Sequence, residues 1–64
     1  MNEMSDQELI KKFIFWCGAN DFNQTEMGAI VKRTKQWASD IVNGKTKTLK
    51  FTTRNKIKSI LGIQ

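Results

Sequence analysis

The chain has 64 residues and a formal net charge of +5 at pH 7, and 39% of its residues are hydrophobic. This length suits one small domain, and the apolar content is about what a minimal helical core requires. We therefore expect a single domain spanning residues 1–64. With one cysteine and no histidine in the chain, an internal disulfide is excluded and a zinc site has too few ligands.

Targeting and catalytic signals are also missing from the sequence. The start of the chain does not resemble a signal peptide, and the longest apolar run is too short to span a bilayer. We expect a cytoplasmic protein that does not bind membranes. Neither Cys17 nor any pair of carboxylates lies in a recognisable catalytic setting, so we expect neither an enzyme nor a cofactor. Cys17 is better explained as a small buried hydrophobic residue.

Apolar residues recur at helical spacing, and the chain has no proline and little of the alternation that is typical of strands. The pattern predicts a compact all-α fold of four helices, or five. We expect the four helices near residues 6–18, 24–31, 35–43 and 53–61.

The first helix has a nearly complete start signal. Ser5 is the expected N-cap, and Glu8 closes a capping box three residues later. Gly18 is expected to end this helix. Phe22 is the one large apolar residue in the connection that follows, and it is expected to pack beneath the second helix.

The stretch from residue 24 to residue 50 predicts a helix, a tight corner, a second helix and a basic loop. Asn23 and Glu26 form another capping box, and Thr34 is the expected N-cap after the corner. Gly44 lies where a left-handed C-cap is needed. This order of elements is typical of a helix-turn-helix. The inward-facing apolar residues of the two helices are predicted to be Met27, Ile30, Val31, Ala38, Ile41 and Val42.

A last helix is predicted after the basic loop. Phe51 is expected to be its apolar anchor, Thr52 or Thr53 its N-cap, and Gly62 its end. Three positive residues of this helix are predicted to face water: Arg54, Lys56 and Lys58.

Charge is distributed unevenly along the chain. Residues 1–31 carry a net charge of −3, whereas residues 32–64 carry +8. The positive half contains the second motif helix and the loop after it, and such a field attracts a polyanion. In the alternative interpretation, basic residues simply solvate a helical surface. That alternative suits Lys56 and Lys58 better than the cluster at residues 32–50, where charge and motif coincide.

Three short motifs resemble those of a known family. The residue types in these motifs, and the spacing between them, are similar to those of the DNA-binding domain of the lambdoid phage C-repressor and Cro family, within the wider Xre-type group. The resemblance covers residues 5–63 and implies a lambda-repressor-like fold. The motifs are Asn23-Gln24-x-Glu26, Thr34-Lys35-Gln36, and Asn43-Gly44-Lys45-Thr46-Lys47 followed by Phe51.

The resemblance also implies which residues contact double-stranded DNA. The helix near residues 35–43 would lie in the major groove, and four of its side chains would contact bases: Lys35, Gln36, Ser39 and Asp40. For Asp40 two roles stay open, acceptance from a cytosine amino group or rejection of wrong sequences by repulsion. The residues placed to contact phosphates are Asn23, Gln24, Arg33, Thr34, Trp37, Asn43, Lys45, Lys47 and Lys50.

Several positions depart from the family pattern, among them Lys32, Arg33 and Trp37. Lys32 stands at the corner, where a glycine with positive φ is usual. If the corner has the family's geometry, Lys32 adopts positive φ at a cost of about 1 kcal/mol. Trp37 stands where a small residue is usual. It is expected either to pack on the last helix or Phe51, or to contact DNA or a second subunit.

The function that the resemblance implies is that of a sequence-specific transcriptional regulator, Cro-like in size and of phage or mobile-element origin. The alternative is a small protein-interaction module on the same scaffold, such as an antirepressor or inhibitor of another regulator. The protein would act as a homodimer through Leu61, Ile63 or Trp37, as a monomer, or with another regulatory protein.

Overall fold

The structure is a computed structural model that describes residues 4–63. These residues form four helices and no strand: α1 (Asp6–Ala19), α2 (Gln24–Ile30), α3 (Lys35–Val42) and α4 (Phe51–Leu61). The predicted all-α class is confirmed with four helices in the described part of the chain. Helix α2 packs on α3, and α1 packs on α4. None of these four helices has the length and apolar character needed to cross a membrane.

Side-chain caps start three of the helices, as predicted. The side chains of Ser5 and Asn23 each accept from the backbone N–H three residues later, and the glutamate at that position accepts in return from the cap backbone. Thr34 Oγ1 accepts from the backbone N–H of Trp37 at 3.1 Å. Each cap stabilises its helix by about 1 kcal/mol, which explains why these boundaries agree with prediction within one residue.

The predicted N-cap of α4 was wrong, and the helix starts two residues before the predicted position. The helix begins at Phe51 with Lys50 as its N-cap, and Lys50 makes no side-chain capping bond. Neither Thr52 nor Thr53 caps the helix. Thr53 is instead buried, because it lies one helical turn before the core residue Ile57 and shares its face.

Phe51 is not the predicted apolar anchor, since its side chain is 77% exposed. It lies six residues before Ile57, which rotates it away from the buried face of α4. The half-buried Leu49, in the preceding loop, packs against the core instead.

The residues predicted to end the helices agree with the structure in some cases and not in others. Helix α1 ends at Ala19, within one residue of the predicted end, but it continues through Gly18 and its C-cap is Asn20. The side-chain amide of Asn20 donates to a carbonyl of the last turn, and Asp21, with a φ of 59°, redirects the chain. Gly44 and Gly62 have left-handed φ values of 77° and 73°, as predicted.

All four helices contribute to one core. Burial raises the pKa of the Cys17 thiol to about 11, so the thiol is neutral at pH 7 and serves as a small hydrophobic residue, as predicted. Val42 was predicted to face inward but is 42% exposed, because it lies one position beyond the face that Ala38 and Ile41 define. The buried hydrophobic residues are Leu9, Ile10, Phe13, Cys17, Met27, Val31, Trp37, Ala38, Ile41 and Ile57.

Arg54 does not face water, contrary to prediction, but joins α4 to the start of α1. Its guanidinium donates to the Asp6 carboxylate and to the carbonyl oxygen of Met4. The other Asp6 oxygen, Oδ2, accepts from the backbone N–H of Leu49 at 2.9 Å. One carboxylate therefore fixes both the end of the basic loop and the first turn of α4.

Candidate nucleic-acid interface

The corner between α2 and α3 is built by backbone contacts around Gly28. Its carbonyl oxygen accepts from the N–H of Arg33 at 2.7 Å and from that of Val31 at 3.2 Å. A Cβ atom on Gly28 would lie 2.4 Å from the carbonyl oxygen of Thr34. Only glycine therefore lets the start of α3 pass this close to α2.

Lys32 has a φ of 59°, which confirms the positive φ predicted for this corner. A lysine in this left-handed conformation is strained by about 1 kcal/mol relative to glycine. The chain turns here without the residue type best suited to the turn.

We expect Lys32→Gly to raise the free energy of unfolding by up to about 1 kcal/mol, because the strain at positive φ is removed. Lys32→Ala is the matched control, since alanine removes the same charge but keeps the strain. Chemical denaturation of the three proteins measures the difference. A loss of stability specific to the glycine variant would contradict the left-handed corner.

The four residues predicted to contact bases lie together on α3. Lys35 and Gln36 are exposed, and Ser39 and Asp40 are half-buried. Three of them take part in hydrogen bonds that span one helical turn: Gln36 Nε2 donates to Asp40 Oδ1 at 2.9 Å, and Asn43 Nδ2 donates to Ser39 Oγ at 3.2 Å. The outer surface of α3 is therefore a set of paired polar groups rather than four independent side chains.

The basic loop runs beside α3 and forms a shallow depression with it. The N–H groups of Lys45 and Thr46 donate to the carbonyl oxygen of Asp40 at 2.8 and 3.3 Å, so the loop starts at a fixed distance from the helix. Sequence reasoning assigned no role to Thr46 and Thr48, whose hydroxyls are suited to phosphate oxygens. The depression is lined by Arg33, Thr34, Gln36, Trp37, Asp40, Thr46, Thr48, Leu49, Lys50 and Thr53.

Other predicted phosphate contacts lie outside this depression. Gln24 lines a second depression, which it shares with Asn23 and Lys35 at the start of α2. Lys47 lines a third, beside α1. In addition, the side-chain oxygens of Asn23 and Thr34 accept capping hydrogen bonds. These bonds use the acceptor oxygens only, so the N–H groups of the Asn23 amide and the O–H of Thr34 can still donate to a phosphate.

Trp37 is a core residue. Its side chain is 8% exposed, and its ring centroid lies 6.2 Å from that of Phe13 on α1. It belongs to the same core cluster as Ile57 of α4, whereas Phe51 is 77% exposed. So buried an indole does not support a direct contact with a phosphate or a second subunit. The positive charge beside it comes from Arg33, whose guanidinium carbon lies 5.9 Å from the ring centroid.

Comparison with known proteins gives no assignment. No protein-family model, curated protein or solved structure matches this chain.

Electrostatically, the corner, α3 and the loop form one positive region. Between residues 32 and 50 there are six cationic side chains and one carboxylate, that of Asp40. Five of the six cations are exposed and Arg33 is half-buried. Within residues 4–63 there is no cluster of metal-ligating side chains. An excess of positive charge of this kind attracts a polyanion. The six cations are Lys32, Arg33, Lys35, Lys45, Lys47 and Lys50.

Proposed function

We propose that the protein is a sequence-specific, double-stranded DNA-binding transcriptional regulator. The observation that carries the proposal is the coincidence of two features around α3. One is the helix-corner-helix arrangement of α2 and α3 with a left-handed residue at position 32. The other is the group of six cationic side chains on the corner, α3 and the loop.

In this proposal α3 lies in the major groove, whose width of about 12 Å admits a helix. Lys35 and Gln36, exposed in the first turn of α3, contact base edges. Lysine donates to the acceptors of guanine, and the glutamine amide pairs with adenine. Arg33 and the loop lysines neutralise phosphates on either side and so fix the orientation of the helix. Occlusion of a promoter would then block transcription.

We expect Lys45→Ala and Lys47→Ala to weaken binding to every DNA sequence alike. Each should lower the slope of log affinity against log salt by about one, because one phosphate contact is lost. Fluorescence anisotropy of a labelled random duplex at several salt concentrations measures the slope. Lys56→Ala, which removes an exposed lysine of α4, is the control and should leave the slope unchanged. Unchanged slopes in both loop variants would remove the loop from the interface.

A protein-interaction module remains the second candidate because of apolar surface away from α3. Phe15 is 79% exposed and borders a groove with Trp16, Leu61 and Ile63. Exposed apolar clusters of this kind mark surfaces that bind other proteins. Absence of binding to duplex DNA at low salt would favour this candidate. Of the residues proposed for a homodimer, Leu61 and Ile63 are accessible there, whereas Trp37 is buried.

A further inference from the structure

The hydrogen bond between Gln36 and Asp40 limits what the Gln36 amide can offer to a base. Nε2 of Gln36 donates to Oδ1 of Asp40 at 2.9 Å, one helical turn further along α3. An ionised carboxylate can only accept hydrogen bonds. The nitrogen of the amide must therefore face Asp40, because the flipped amide would place two oxygens against each other.

A glutamine amide has two N–H donors and one carbonyl oxygen. With both N–H groups free, it can present donors alone, which match the N7 and O6 acceptors of guanine. With its oxygen and the neighbouring N–H presented together, it matches the N6 donor and N7 acceptor of adenine. The free amide is thus compatible with either purine.

We infer that Asp40 is a positioning residue that makes Gln36 selective for adenine over guanine. Asp40 accepts the N–H that points back toward the helix, which leaves the carbonyl oxygen and the other N–H facing outward. This inference rests on the proposed DNA-binding function. It replaces both roles that the sequence left open for Asp40, acceptance from cytosine and repulsion of wrong sequences.

The position of Asp40 is suited to this role. Its side chain is half-buried, and its carbonyl oxygen holds the backbone of Lys45 and Thr46. The turn of helix that bears the carboxylate is therefore fixed on one side by the loop. A fixed acceptor holds the exposed Gln36 amide in one orientation before any base is present, which is the arrangement that specific contacts need.

The test compares the wild type, Asp40→Ala and Asp40→Asn in selection of duplexes from a random pool. We expect the wild type to enrich one position for adenine over guanine by about tenfold, the discrimination of a good bidentate contact. In Asp40→Ala both N–H groups of Gln36 are free, so the preference should fall to about threefold or less. Asparagine has lost the charge but keeps an acceptor oxygen, so Asp40→Asn should retain the adenine preference.

Gln36→Ala and the double variant Gln36→Ala/Asp40→Ala complete the experiment. Once Gln36 is absent, removal of Asp40 should not change the adenine-to-guanine ratio further. Binding to random DNA, measured for each variant at low salt, checks that the fold is intact. It should be unchanged in Gln36→Ala and tighter by a similar factor in every variant that lacks the Asp40 carboxylate.

Several outcomes overturn the inference while the proposed function stands. An adenine preference that falls equally in the alanine and asparagine variants would assign the role of Asp40 to its charge and not to its acceptor oxygen. Loss of a cytosine at a separate position, in the presence or absence of Gln36, would make Asp40 a direct base contact. An unchanged adenine preference in Asp40→Ala would remove Asp40 from recognition. If the wild type enriches no sequence at all, the proposed function fails, and this inference fails with it.

Discussion

Gly28→Ala is expected to lower the free energy of unfolding by about 2 kcal/mol and to weaken DNA binding. The added Cβ would lie 2.4 Å from the carbonyl oxygen and 2.7 Å from the carbonyl carbon of Thr34. These are backbone atoms, so α2 and α3 must move apart. Overpacking of this kind costs about 1–3 kcal/mol or more, which outweighs the gain of about 1 kcal/mol that alanine normally brings to a helix.

Gly18→Ala is the matched control for this substitution. Gly18 also lies within a helix, has a helical φ, and has no atom within 4 Å of the position of an added Cβ. Alanine there should raise the free energy of unfolding by about 1 kcal/mol. Urea denaturation should therefore show a lower free energy of unfolding for Gly28→Ala and a higher one for Gly18→Ala. The opposite signs separate the effect of the close backbone approach from that of helix propensity. A Gly28→Ala protein as stable as the wild type would contradict the tight corner.

Asp6→Ala is expected to lower the free energy of unfolding by about 3 kcal/mol. The substitution removes the Asp6 carboxylate, to which the Arg54 guanidinium donates; the Arg54 side chain is 15% exposed. It also removes the acceptor of the Leu49 N–H. Loss of one partner of a fully buried ion pair costs about 3–5 kcal/mol. The cost is at the low end of this range here, because the Asp6 side chain is 29% exposed. The loss is a large fraction of the stability of so small a domain.

Glu8→Ala controls for the position of Asp6 in the first turn of α1. Both residues are acidic first-turn residues, but Glu8 only closes the capping box, so its loss should cost about 1 kcal/mol or less. A double-mutant cycle with Arg54→Met isolates the coupling between the two side chains. If Asp6→Ala is no less stable than Glu8→Ala, the tie between α1 and α4 does not stabilise the fold.

The parts of the fold that could be predicted from the sequence are those set by local chemistry. The caps at Ser5, Asn23 and Thr34 and the left-handed glycines at 44 and 62 each depend on a few neighbouring residues. Phe51 and Val42 were misplaced for a reason that is also local. Each residue turns a helix by about 100°, so an error of one or two positions in a helix boundary or face moves a side chain from core to solvent.

Contacts between distant parts of the chain were not predictable. Arg54 and Asp6 are separated by 48 positions, and nothing in the pattern around either residue indicates the other. The same holds for the packing of Trp37 on Phe13. In the candidate site, helical spacing was enough to predict that α3 carries four outward-facing polar residues: Lys35, Gln36, Ser39 and Asp40. Their hydrogen bonds, and the path that brings Thr46 and Thr48 beside α3, required three-dimensional coordinates.

The stacking of Arg33 on Trp37 gives the molecule an intrinsic optical reporter. The guanidinium lies 5.9 Å from the ring centroid, and the same cation faces the depression beside α3. An oxyanion that draws Arg33 away changes the surroundings of the indole and therefore its emission. The other tryptophan, Trp16, packs edge-on against Phe22 at 5.4 Å, outside that depression. In a protein with Trp16 replaced by phenylalanine, a single emitter would report occupancy of this region without any attached dye.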